Sequence, residues 1–172
     1  MLDGPWDGIV IAVNDIACHW PRRLDHWVTL HVNNMAGWAK LRGEKGYPGQ
    51  ITFWGSAARP KPPFQTVKQW AGGSSGLLAV TVAIDKLGCE RVVLCGMPYT
   101  VTPHFKESKV HQPTKVWRGA DGHWRAWKRK DVLSRMTGKV RSMSGRTLEL
   151  FGKPDLEWLD LGAYDESREA VA

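Results

Sequence analysis

Cysteine is scarce in this chain. The three present, Cys18, Cys89 and Cys95, sit inside apolar runs without Cys-x-x-Cys spacing, so neither a disulfide framework nor a zinc site is expected. Long hydrophobic runs are missing as well: no stretch approaches the roughly 18–20 apolar residues that a membrane-spanning helix needs. The first residues, Met1-Leu-Asp-Gly-Pro-Trp6, lack the basic and apolar regions of a secretory leader. A cytoplasmic protein without a membrane partner is the expectation. Neither Gly-Lys-Ser/Thr nor Gly-x-Gly-x-x-Gly occurs, which argues against a P-loop NTPase and a standard dinucleotide enzyme. Phe and Tyr are few, at 4 and 3 residues, whereas Trp reaches 10.

What is present is the composition of a globular protein: 172 residues, 42% hydrophobic and 24% charged, which excludes wholesale disorder and fits one domain of ordinary size or two very small ones. The net charge of +7 is uneven. Residues 104–147 hold 12 Lys and Arg against 3 Asp and Glu, whereas residues 148–172 hold 2 against 7. A concentrated positive field attracts phosphates, nucleotides or nucleic acid. The expected organisation is one domain over 1–162 with a basic, Trp-rich insertion at about 100–136, followed by an acidic flexible tail at 163–172.

Gly8–Val13 is a continuous, β-branched apolar run, as expected of a strand buried on both faces, and it ends at Asn14-Asp15. Ile16–Trp20 reads as helix-like, His26–Val32 as a second strand, Met35–Arg42 as a helix, and Gln50–Trp54 as a third strand. Residues 58–65, with three prolines, read as a surface loop. Gly72-Gly-Ser-Ser-Gly76 leads into the best helix, Leu77 to Leu87, stopped by Gly88, and Arg91–Cys95 is a further strand. This alternation predicts an α/β fold: a single Rossmann-like domain whose mostly parallel sheet carries helices on both faces. Beyond it, Trp124–Met136 reads as one helix with apolar and basic residues all round, a poor core helix. Val140–Gly145 and Thr147–Phe151 read as short strands, and Asp155–Leu161 as a short helix capped by Asp155.

In an open parallel sheet, ligands bind outside the carboxyl ends of the strands. Three clusters should gather there: Asn14-Asp15, Gly73-Ser74-Ser75-Gly76, and Met97–His104 with Tyr99. Glycines let a backbone approach a ligand, and free N–H groups with two hydroxyls suit a phosphate or carboxylate. The alternative is an ordinary loop with a serine helix cap.

The block Ser75-Gly-Leu-Leu-Ala-Val-Thr-Val-Ala-Ile-Asp-Lys-Leu-Gly88, followed by Arg91-Val-Val-Leu-Cys-Gly-Met-Pro-Tyr99, resembles one in the bacterial sialyltransferase-like superfamily. In that group a Ser-Gly turn, a helix and a strand lead into Gly-x-Asp-x-Tyr. Val13-Asn14-Asp15 resembles its strand-end Asn, and together the two matches cover about a fifth of the chain. Val140–Gly145 and Phe151–Leu159 also resemble segments of uncharacterised tailed-phage proteins. The resemblance implies a nucleotide or nucleotide-sugar site. Asn14 and the Ser75-Gly76 turn would contact the nucleotide. His104 would be the general base, with His111 next, since a neutral imidazole can take a hydroxyl proton. Pro98 stands where the family has Asp, and only seven residues precede Gly8, where the family has a phosphate loop.

Lys115-Val-Trp117-Arg118 and Trp124-Arg125-Ala-Trp127-Lys-Arg-Lys130 interleave aromatics with cations. Such a segment can stack on bases while neutralising phosphates, or close over one nucleotide as a lid. His19, His26 and His31 make a poor metal set, because strand residues five apart face opposite sides; no metal and no cofactor are expected. Ser142-Met-Ser144-Gly-Arg146 reads as phosphate contacts or as a tight turn. Three functions follow. The leading one is a phage-type protein that binds, and sequesters, a nucleotide-derived ligand. The second is a metal-independent glycosyltransferase-like enzyme using a nucleotide sugar. The third is a structural or nucleic-acid-binding protein acting through residues 115–130. A homodimer is the expected assembly.

Overall fold

The computed structural model describes residues 8–58, 63–72, 74–99 and 120–159. Four short strands, β1 (Ile11–Val13), β2 (His26–Val28), β3 (Thr52–Ser56) and β4 (Gln65–Val67), form a sheet in the order β1-β2-β3-β4 with every pairing parallel. Ala12 lies opposite Trp27, which lies opposite Phe53. That row faces one side of the sheet and packs with Leu24 and with Met35 and Trp38 of helix α1 (Met35–Glu44). The alternate row, Val28 and Trp54, faces the other side, where helix α2 (Ser75–Thr81) supplies Leu78 and Ala79. The strand period of two therefore sends successive side chains into two separate cores. Helices cover both faces, as expected of an α/β fold.

All seven residues of α2 are buried. It can be buried all round because it has neighbours on two sides. Leu77 and Val80 enter a third cluster with Leu94 of β5 (Val92–Leu94) and Val140 of β6 (Val140–Ser142), which pair in parallel as a second sheet. The helical run continues to Lys86 with a widened, π-type last stretch, and Gly88 ends it at φ +67 while Cys89 N–H reaches back to the Ala83 carbonyl. That wide closure over Gly88 is the glycine stop expected from the sequence.

Four readings need correction. β4 lies at the end of the segment taken for a loop. Gln65 and Thr66 are exposed on an edge strand, so the apolar signal of a buried strand is confined to Val67. The helix-like stretch Ile16–Trp20 is helical only to Cys18, as a 3₁₀ helix that spans Asn14–Cys18. The segment 124–136 is two helices, α3 (Ala120–Trp127) and α4 (Lys130–Met136), broken where Arg129 turns extended at ψ 135. The break re-aims the second half, so Trp127, Val132 and Met136 all reach 0% exposure in one cluster, and the pair is a core element after all. Finally, 147–151 belongs to helix α5 (Gly145–Phe151), not to a strand. The last element, α6 (Leu156–Leu159), is capped by Asp155, whose carboxylate accepts the Trp158 N–H at 2.7 Å.

One buried cation ties the first half together. Arg42 is 3% exposed, and its guanidinium donates to the carbonyls of Ala17, Trp20, Arg22 and Pro48 at 2.6–3.1 Å. Burial holds its pKa below the ordinary guanidinium value.

Candidate functional site at the carboxyl edge of the sheet

β1 ends and the chain turns at Asn14, which adopts φ +56. Asparagine is among the few residues that tolerate this left-handed geometry. Two groups hold it there. The Trp27 indole N–H donates to its carbonyl at 2.6 Å, and the Thr29 hydroxyl donates to its side-chain Oδ1 at 2.9 Å. With Oδ1 taken, the amide NH₂ has no acceptor among the described residues. Thr29, fully buried just past β2, also accepts the His31 N–H at 2.8 Å. Between them, Leu30 N–H donates to the Ser75 hydroxyl at 3.0 Å. That bond joins the ends of β1 and β2 to the first turn of α2.

Ser74 precedes that turn in extended conformation and its Oγ accepts the Leu77 N–H at 3.0 Å, a helix cap. The same oxygen lies 2.6 Å from the Tyr99 hydroxyl and 3.4 Å from the Trp127 indole nitrogen, and Gln69 donates to the Ser74 carbonyl at 2.7 Å. Ser74 is therefore spent inside the protein. The expectation that both serine hydroxyls face a ligand holds at most for Ser75, whose oxygen accepts one N–H and retains its proton to donate.

Tyr99 follows β5 at φ +49, a conformation far rarer for a bulky aromatic than for asparagine. Its ring packs on Trp127 and Trp124, with centroids 5.3 and 6.0 Å away. Burial pushes its phenol above the usual value, against the lowering effect of the bonds to Ser74 and Trp127. Gly76 is where backbone and aromatic meet most closely: a Cβ there would stand 3.0 Å from both the Tyr99 oxygen and the Met97 sulfur. Glycine at 76 serves close packing as much as approach by a ligand.

The segment after β5 is stitched to the one after β6. Thr147 donates to the Met97 carbonyl at 2.8 Å, Arg146 N–H to the Pro98 carbonyl at 2.9 Å, and Gly145, at φ +59, lies against Pro98. Ser142 pairs with Thr147 at 2.8 Å and Arg146 with Asp121 at 2.7 Å. Ser142 and Arg146 are thus engaged inside the protein, as the tight-turn reading of 142–146 expects. The Ser144 hydroxyl is buried there and has no hydrogen-bond partner among the described residues.

The structure thus brings together Asn14, Ser74, Ser75, Gly76, Tyr99 and Trp124. Asp15 is half-buried in the 3₁₀ turn beside Asn14. Arg125 is exposed on α3, and no contact places it on the Ser74–Gly76 turn. Gly73, His104, His111 and residues 115–119 lie outside the described residues. Three participants carried no signal that would have singled them out. Thr29 is the one hydroxyl in an apolar strand, His31 reads from the sequence only as a poor metal candidate, and His123 is hidden in the basic segment. The two histidines are near enough that His31 lowers the pKa of His123, after the larger lowering by burial. Among the described residues no three His, Cys, Asp or Glu side chains gather as a metal set, and no helix is long and apolar enough to cross a membrane. Searches against family models, curated proteins and solved structures return no match for this chain.

Proposed function

We propose that the protein binds a nucleotide or nucleotide-derived small ligand at the carboxyl edge of its parallel sheet, on a Rossmann-like arrangement of strands and covering helices. The observation that carries this reading is the placement of the two non-glycine residues with positive φ among the described residues, Asn14 and Tyr99. Each follows a parallel strand, and each is tied to the turn that opens α2, one through Thr29, Leu30 and Ser75, the other through Ser74. Backbone strain persists where surrounding structure over-determines it, and it clusters at ligand sites. The edge is also where open parallel sheets bind ligands.

The groups gathered there suit recognition. The Asn14 amide offers donors to a base edge or a ribose hydroxyl, Ser75 offers a hydroxyl, and Trp124 is half-buried against the Tyr99 ring. Holding a ligand without transforming it is the function we assign to this set, in keeping with sequestration of a nucleotide signal.

A thermal-shift screen of the purified protein against CMP, CMP-sugars, UDP-sugars, NAD, ADP-ribose and cyclic nucleotides tests it. Ligand at 100 times its dissociation constant adds about 2.7 kcal/mol, several degrees for a domain of this size. Chromatography of the recovered ligand then separates storage from turnover: intact ligand supports the reading, altered ligand makes the protein an enzyme. No shift with any of these compounds sinks the site.

A further inference from the structure

Residues 120–147 carry eight Lys and Arg against two Asp. Both aspartates are paired, Asp131 with Arg129 at 2.7 Å and Asp121 with Arg146 at 2.7 Å. Three more cations sit over tryptophan rings: Lys128 is 5.8 Å from the centre of Trp124, Arg135 is 5.4 Å from Trp70, and Arg141 is 5.2 Å from Trp158. All three rings are half-buried, so each is fixed by the protein on part of its surface and open on the rest. Trp70 and Trp124 are held by the same core cluster that α3 and α4 enter. Trp158 docks at the end of α4, its indole donating to the Gly138 carbonyl at 3.0 Å. Along the same stretch Arg125, Lys128, Lys130, Arg135 and Lys139 are exposed.

We infer that the outward side of α3 and α4, from Trp124 past Trp70 to Trp158, binds single-stranded nucleic acid. A ring with a cation above it is a unit that does two jobs. The cation swings onto a backbone phosphate, and the base takes its place on the ring. Duplex nucleic acid hides its base faces and would use the charges alone. An anionic bilayer would need an apolar face to insert, and that of α3 and α4 is already spent, with Trp127, Val132 and Met136 at 0% exposure. An acidic protein would pair the cations but has nothing flat to lay on three rings. Trp124 is shared with the proposed nucleotide site, whereas Trp70, Trp158 and the exposed cations belong to the strip alone, and the variants below alter only those.

The test is fluorescence anisotropy with a labelled oligothymidylate of about 15 nucleotides, with the matching duplex and with phosphatidylserine vesicles. Single-strand binding with quenching of tryptophan emission is expected, together with a log–log salt slope of about −0.7 for each phosphate engaged. Trp158→Ala should weaken the oligothymidylate roughly tenfold. The triple variant Lys128→Gln, Lys130→Gln, Arg135→Gln should flatten the slope by about 2. Circular dichroism of both variants confirms the fold, and the triple variant alters only exposed positions. Equal affinity for duplex and single strand, unquenched tryptophan, preference for vesicles, or a slope unmoved by the triple variant would each overturn the assignment.

Discussion

Ser74 Oγ lies 2.6 Å from Tyr99 Oη, and this one contact joins the cap of α2 to a residue held at φ +49 beyond β5. It couples the two sheets through the helix between them. Ser74→Ala removes a helix cap, about 1 kcal/mol, and takes the Ser74 oxygen away from the Tyr99 hydroxyl, which keeps its bond to Trp127; Tyr99→Phe removes only the hydroxyl. A double-mutant cycle by urea denaturation should show the pair coupled by about 1 kcal/mol, the double variant costing less than the two single changes together. Strict additivity would mean that the contact contributes nothing to stability.

The same oxygen limits what position 76 accepts. Alanine is the better helix former by about 1 kcal/mol, but its Cβ would stand 3.0 Å from the Tyr99 oxygen and the Met97 sulfur. The methionine is flexible and can yield; the tyrosine is fixed by Ser74. Gly76→Ala should therefore lower the denaturation midpoint in the parent and cease to do so, or raise it, in Tyr99→Phe. Gly145→Ala has no such remedy, because its Cβ would meet the Pro98 backbone, with Cα at 2.5 Å, and φ is +59. It should cost about 3 kcal/mol or more. Gly138→Ala, with φ +78 but open space around it, should cost about 1 kcal/mol. If the Gly145 and Gly138 variants were equally stable, the packing of Pro98 against Gly145 would be refuted.

Arg42 should tolerate no substitute. Its fork spans carbonyls from positions 17, 20, 22 and 48, and lysine offers a point charge that cannot reach four acceptors at once. Each carbonyl left unmet in the interior costs about 1 kcal/mol or more. Arg42→Lys is thus expected to lose about 3 kcal/mol, read as a shift in urea midpoint without a change in slope. Retention of parental stability would show that water replaces the guanidinium.

How far the fold could be read from the sequence follows from which signals are local. Gly8–Val13 ending in Asn14-Asp15 announced a strand and the polar residue at its end, but not that this strand, Ile11–Val13, stands at the sheet edge with only Ala12 buried. Gly88 announced its own stop. β4 was unreadable because an edge strand with one buried residue, Val67, has no periodicity to detect. The split of α3 from α4 was unreadable because a wheel drawn through Arg129 scatters side chains that the break gathers. At the site, Ser74 and Ser75 look alike in sequence. Only Tyr99 and Trp127, distant in the chain, show that the first hydroxyl is internal. Thr29 gave no local sign, since its role lies in what it bonds.

Acid should loosen the sheet through His26. Burial lowers its pKa below the ordinary 6.5, outweighing the raising effect of Asp25, and its Nδ1 accepts the Trp54 indole N–H at 3.2 Å across β2 and β3. A lowered folded pKa means the unfolded chain takes up a proton first, so stability is full above pH about 6.5 and falls as pH drops toward the folded value. His123 acts in the same direction. Urea midpoints between pH 7.5 and 5 should decline in the parent and decline less in His26→Gln, whose amide oxygen can still accept from Trp54 but does not titrate. Parallel profiles for the two proteins would remove His26 from the account.

Asn14 allows the ligand site to be tested apart from the fold. Glycine adopts φ +56 at no steric cost, so Asn14→Gly relieves the backbone while it deletes the amide. The Thr29 hydroxyl loses its acceptor, at about 1 kcal/mol, and the relief offsets part of this. The unliganded melting temperature should therefore stay near the parent's. Asn14→Ala loses the same amide and must hold a Cβ in the left-handed region, so it should melt lower. Both should bind the nucleotide found by thermal shift at least tenfold more weakly, about 1.4 kcal/mol. The diagnostic variant is glycine: an intact fold with a lost ligand shift places the Asn14 amide on the ligand, whereas a retained shift makes Asn14 a corner of the backbone held by Trp27 and Thr29 and nothing more.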